Sequence, residues 1–120
     1  MRSREAQEQA VVIQWCKMQE KKYPALGNIF AIPNGGYRNK IEAANLKKQG
    51  VKAGVLDLFL AYPNGEHAGL FIEMKWGKNK CTPNQLEWIE RLTRAGYEVN
   101  VCWSSEKAIE SIKHYLGIGD

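Results

Sequence analysis

The sequence predicts an α/β fold: a mixed β-sheet of about four strands flanked by helices, in the order αβαββαβα. Three observations predict it. Apolar runs of strand length recur between stretches of helical periodicity. Turn and capping residues fall between those runs. The chain has 120 residues and no internal repeat, low-complexity tract or long linker, so residues 1–120 are expected to form one domain able to bury a core.

Each element has its own signal. Residues 3–22 read as a helix with Ser3 as N-cap, an apolar stripe of Val11, Val12, Trp15 and Met18, and Tyr23-Pro24 as the stop. Residues 28–32 read as a short strand, ended by the turn signal Pro33-Asn34-Gly35-Gly36. Residues 39–49 form a weakly amphipathic helix closed by Gly50. Two central strands, 55–61 and 70–76, are joined through Tyr62-Pro63-Asn64-Gly65-Glu66, whose Asn-Gly suits a hairpin turn. Thr82 caps a third helix and Pro83 takes its first position. Its apolar residues are Leu86, Trp88, Ile89 and Leu92, and Gly96 closes it. Residues 97–103 are a last strand. Ser104 or Ser105 then caps a helix carrying Ala108, Ile109, Ile112 and Leu116. Trp15, Trp88 and Trp103 read as core.

Composition excludes several classes. Cys16, Cys81 and Cys102 are odd in number and contain no Cys-x-x-Cys pair, which excludes a zinc ribbon and argues against a disulfide framework. Neither His67 nor His114 has ligand-like neighbours. No apolar run reaches membrane-spanning length, and Met1-Arg2-Ser3-Arg4-Glu5 does not read as a signal peptide, so a cytoplasmic location is expected. A net charge of +4 and a pI near 9.0 permit a polyanionic partner without requiring one. Distribution says more. Basic residues cluster at Lys17, Lys21 and Lys22, at Arg38, Lys40, Lys47, Lys48 and Lys52, and at Lys75, Lys78 and Lys80.

The chemistry concentrates on the central strands. Residues 55–61 are apolar except for Asp57, and residues 70–76 except for Glu73 and Lys75. Strand side chains alternate, so Glu73 and Lys75 project from one face, and Asp57 joins them if the strands pair. Such charges in an apolar setting cost several kcal/mol of desolvation unless compensated. A divalent cation compensates two carboxylates; an inward ion pair of Lys75 with one acid is the bland alternative. Two further polar residues stand on apolar helix stripes. Glu8 precedes Val11, Val12 and Trp15 at helical spacing, and Gln85 precedes Trp88, Ile89 and Leu92 in the same way.

An Asp on one strand and Glu-x-Lys on the next resembles the core of the PD-(D/E)xK nucleases, with their restriction-endonuclease-like fold. Further segments narrow the resemblance: Ile32-Pro33-Asn34-Gly35-Gly36, Arg38, Leu46-Lys47-Lys48-Gln49-Gly50-Val51, Gly54-Val55-Leu56-Asp57, Thr82-Pro83-Asn84-Gln85 and Ala95-Gly96-Tyr97. In this order, over about residues 5 to 115, the chain is similar to stand-alone virus-type replication–repair nuclease (VRR-NUC) domains of phage or bacterial type. One position departs: Leu56 stands where the family usually has Pro before the first Asp.

The resemblance implies a Mg²⁺- or Mn²⁺-dependent endodeoxyribonuclease. Asp57, Glu73 and the Met74 carbonyl oxygen would hold the ion, and Lys75 would orient the attacking water or take its proton. Family members carry a Glu in the first helix and a Gln after Glu-x-Lys. Glu8 matches the first, with Glu5 one turn earlier as the alternative, and would serve a second ion or a metal-bound water. Gln85 matches the second and would position water or phosphate. Asn34, Gly35 and Gly36 are either a plain β-turn or a glycine surface for DNA, with Arg38 on a phosphate. Lys78 and Lys80 lie where the backbone of DNA would pass, and Trp76 either packs on the sheet or stacks on an unpaired base. Relatives act as homodimers on branched DNA, which implies a Holliday-junction resolvase. A flap or single-strand nuclease, or an inactive DNA-binding module, are the other readings.

Overall fold

A computed structural model describes residues 3–33 and 39–119. Four helices, α1 (Arg4–Gln19), α2 (Lys40–Lys48), α3 (Pro83–Arg94) and α4 (Ser105–Leu116), surround four strands. The strands are β1 (Ile29–Ala31), β2 (Leu58–Leu60), β3 (Leu70–Met74) and β4 (Glu98–Cys102). They lie in the spatial order β1-β2-β3-β4, antiparallel for the first two pairings and parallel for β3 with β4. The return from β3 to a parallel β4 requires a crossover, and α3 provides it. Among the described residues no helix is long and apolar enough to cross a membrane.

The two sheet faces differ in character. Leu58, Leu60, Leu70, Ile72, Met74 and Cys102 pack against Val12 and Cys16 of α1 and Ala108, Ile112 and Tyr115 of α4, and this is the core. Alternation sends Phe59, Phe71 and Glu73 to the other face. There Phe59 and Phe71 stack with centroids 4.3 Å apart, and Tyr97 meets both rings edge-on. β3 is buried along its whole length, so its two faces receive apolar residues and, at one end, the charged pair.

Several expectations are corrected. α1 buries Val12 and Cys16, one turn apart, while Val11 and Met18 of the expected stripe are exposed and Trp15 is half-buried. The helix rests on both the sheet and α4, and Cys16 fills the inward position that the sequence pattern assigned to Trp15. α1 stops at Gln19, and a short 3-10 helix, Pro24–Asn28, carries the buried Leu26 into β1. The central strands are shorter than read, and the connection between them spans residues 61–69. It is organised by Asn64, whose side-chain oxygen accepts from the Glu66 and His67 N–H groups, with Gly65 at φ +94°. Trp88 is half-buried, and Trp103 is exposed rather than core.

Candidate active site

Asp57 stands immediately before β2 and is fixed by its backbone. Its N–H donates to the Ile72 carbonyl (3.1 Å) and its own carbonyl accepts from Ile32 (2.8 Å). The β2–β3 pairing ends at Leu58 with Ile72, leaving Met74 without a strand partner on that side. The Asp57 side chain substitutes: Oδ2 accepts the Met74 N–H at 2.8 Å. Since N–H and C=O of a strand residue face the same neighbour, the Met74 carbonyl also faces the Asp57 side. The approach to Asp57 is clamped onto α3. Trp88 Nε1 donates to the Ala53 carbonyl (3.2 Å), and Gly54 adopts φ +82° against the helix start. A Cβ on Gly54 would stand 2.6 Å from the Asn84 Cβ, so both conformation and space require glycine. Leu56, in the place of the family's Pro, is fully buried.

Glu73 and Lys75 sit on the far end of β3, 2% and 6% exposed, the only charged residues among the buried ones described. Gln85 joins them from α3. Its Nε2 donates to Glu73 Oε2 (2.8 Å), and its Oε1 accepts from Lys75 Nζ (2.8 Å). The same Oε1 accepts the Thr82 N–H at 2.9 Å, while Thr82 Oγ1 accepts the Gln85 N–H at 3.2 Å. Gln85 is therefore the third residue of a capping box and the link between β3 and its covering helix. Lys75 Nζ also lies 3.4 Å from Glu73 Oε2.

These contacts leave the site short of positive charge. Burial pushes the Glu73 carboxyl up to about 7, the Asp57 charge adds to the rise, and Lys75 opposes it. Burial also raises Asp57, against the pull of the Met74 N–H, and the Glu5 charge raises it further. Glu73 Oε1 is buried with no N–H donor on it, and the Asp57 carboxyl lies within hydrogen-bonding reach of Glu73. Such an oxygen is costly unless another group meets it. Two carboxyls with raised proton affinity, a carboxylate oxygen without an N–H donor and a carbonyl on the same side form a set of hard oxygen donors. That set fits a divalent cation. Among the described residues no three His, Cys, Asp or Glu side chains come together, so side chains of these types supply two of the donors there.

The remaining expected site residues separate. Glu8 Oε1 accepts the Ser105 N–H (2.8 Å) and so satisfies the first turn of α4. Glu5, one turn earlier, is the α1 acid whose charge acts on Asp57, and its Oε2 accepts from Asn79 Nδ2 at 2.8 Å. Lys78 and Lys80 are exposed on the loop after β3. Asn34, Gly35, Gly36 and Arg38 lie outside the described residues. Asn79 was not expected from the sequence. Nothing in its spacing marks it, because its partners Glu5 and Trp103 are distant in the chain.

Comparison with known proteins agrees with this geometry. A family model described as the VRR-NUC domain matches residues 3–106. A solved structure titled "VRR_NUC domain protein" superposes with a TM-score of 0.82 at 36% sequence identity, covering 100% of this chain and 93% of its own. Among curated proteins, none matches the chain.

Proposed function

The chain belongs to the VRR-NUC family, a nuclease family of the PD-(D/E)xK type, and from this premise we propose that it is a metal-dependent, structure-selective DNA endonuclease. The observation that carries the reading is the buried pair Asp57 and Glu73, with Glu73 Oε1 lacking an N–H donor and Lys75 and Gln85 on its other oxygen. Asp57, Glu73 and the Met74 carbonyl would hold Mg²⁺ or Mn²⁺. When bound, the ion supplies a Lewis acid for the phosphate and a water of lowered pKa.

The chain's own residues do the rest. An ammonium has three donors. Lys75 directs two of them to Gln85 Oε1 and Glu73 Oε2, leaving one to orient the attacking water or to meet charge developing on a phosphate oxygen. Gln85 holds both partners from a helix start, where the backbone dipole favours an anion. Of the two α1 acids we assign the supporting role to Glu5, whose charge reaches Asp57, and leave Glu8 as the anchor of α4.

The finer reading is a Holliday-junction resolvase acting as a homodimer. It is supported by the family resemblance and by symmetry, because a two-fold junction presents two equivalent strands to a two-fold pair of sites. The test is incubation of purified protein with labelled linear duplex, flap, single strand and four-way junction under Mg²⁺, Mn²⁺ or EDTA. Paired symmetric cuts in the junction with either ion, and none with EDTA, are expected. Flap or single-strand cleavage in preference to junctions would replace the resolvase by the alternative nuclease, and ion-dependent cleavage of nothing would leave a binding module.

A further inference from the structure

Two tryptophans flank the catalytic lysine without entering the core. Trp76 follows Lys75 and is 38% exposed; Trp103 follows Cys102 and is 45% exposed. The parallel ladder pairs Met74 with Cys102, and the Lys75 N–H donates to the Cys102 carbonyl at 2.9 Å. The register thus runs one step beyond the strands and sets Trp103 beside Lys75. Large rings left half in water at such a place forgo burial that a core position would give them.

Both rings are nevertheless held. Trp103 Nε1 donates to the Asn79 carbonyl at 3.0 Å, and Asn79 is tied in turn to Glu5 of α1. The Arg4 guanidinium lies 4.4 Å from the centroid of the Trp76 ring. The indole N–H of Trp103 is satisfied at one edge while much of its surface stays open. Lys78 and Lys80 are exposed on either side of Asn79, the residue on which Trp103 rests, so two cations neighbour the anchor in the chain. An anchored aromatic surface with cations beside its anchor has the two ingredients of single-strand binding: a ring on which a base stacks and charge for its phosphates. Paired bases inside a duplex present no free π-face, so the surface distinguishes unpaired from paired nucleotides.

We propose that Trp103 is a stacking platform at the edge of the catalytic site that takes an unpaired base of the DNA strand being cut. The proposal rests on the nuclease reading and deepens it: the feature recognised in branched or flapped DNA is the unpaired nucleotide next to the scissile phosphate.

Fluorescence titration in EDTA, where no cleavage occurs, tests it with an oligothymidylate and a hairpin duplex of matched length. The single strand should quench the intrinsic tryptophan emission, and W103F should lose part of that quenching while keeping most of the affinity. W103L, which keeps apolar bulk but no ring face, should bind the single strand about ten-fold more weakly. Duplex affinity should change little in either variant. Wild-type single-strand affinity in W103L overturns the platform, as does an equal loss for single strand and duplex, which marks a structural clamp. If the wild-type protein still cuts DNA with Mg²⁺ in those cases, the nuclease reading stands; wild-type protein that neither binds nor cuts DNA overturns both.

Discussion

Glu73 is held in a way that suits a ligand better than a structural ion pair. One oxygen is shared by Gln85 and Lys75 while the other is buried without an N–H donor, so the side chain is oriented while one ammonium compensates two neighbouring carboxyls. Removing its charge should therefore abolish chemistry without unfolding the protein. We expect Glu73→Gln, Asp57→Asn and Lys75→Ala each to lower Mg²⁺-dependent cleavage roughly a thousand-fold or more, with double variants no worse than singles, because the groups act as a unit. Near-wild-type cleavage by Glu73→Gln would end the assignment. Glu5→Ala should lose more activity than Glu8→Ala, and Glu8→Ala should lose more thermal stability. The same pair makes stability depend on pH. Glu73 titrates near 7 in the folded protein against 4.5 for the free side chain, so between those values the native state holds the extra proton. The contribution of Glu73 to the stability of the metal-free protein should then be full below about pH 4.5 and be lost as pH rises through 7. Thermal melts at pH 5 and pH 8 in EDTA read this directly, and a higher melting temperature at pH 8 that persists in Asp57→Asn would contradict it.

At the scale of elements, the junction between β3 and α3 decides whether the site is assembled. Gln85 serves the helix and the chemistry with one amide, so substitutions divide its roles. Gln85→Ala removes the cap and the link, and should cost about 1 kcal/mol of stability and roughly ten- to a hundred-fold in cleavage. Gln85→Glu can still accept from Thr82 and Lys75 but loses the donor to Glu73 and adds a negative charge beside it. It should keep the stability of the helix start while losing cleavage; a fully active Gln85→Glu would show that the Nε2–Glu73 bond does not matter. This element was legible because its signals are local: Thr82-Pro83 at the start, Gln85 three residues on, and alternation placing Glu73 with Lys75. The core stripe of α1 was not, since whether Val11 or Cys16 turns inward depends on where α4 and the sheet lie. Trp103 was misread for a related reason. A ring at a strand end looks apolar in sequence, and only the partner loop determines that it rests on Asn79 and stays open. The Gly54–Asn84 contact and the Glu5–Asn79 bond join distant segments and leave no periodic trace.

At the scale of the whole molecule, the Asp57–Glu73–Lys75 cluster is set into one end of the sheet, where β3 meets the start of α3. A four-way junction requires incisions in two strands, and one site can make them only by dissociating and rebinding. A two-fold pair of chains supplies two sites at fixed separation and joins two basic surfaces, so that the second contact becomes intramolecular and avidity rises. We therefore expect sedimentation velocity to give a dimer at micromolar concentration. In gel-shift competition the protein should prefer a four-way junction to a linear duplex of equal length. Affinity should also fall steeply with salt, with a slope of about −0.9 for each phosphate neutralised on duplex arms, because bound cations are released. The salt slope should be steeper for the junction than for the duplex if both chains engage it. A strict monomer that cuts flaps as readily as junctions would leave Asp57, Glu73 and Lys75 as nuclease residues and remove the resolvase; equal salt slopes on both substrates would mean that a single chain makes all the phosphate contacts.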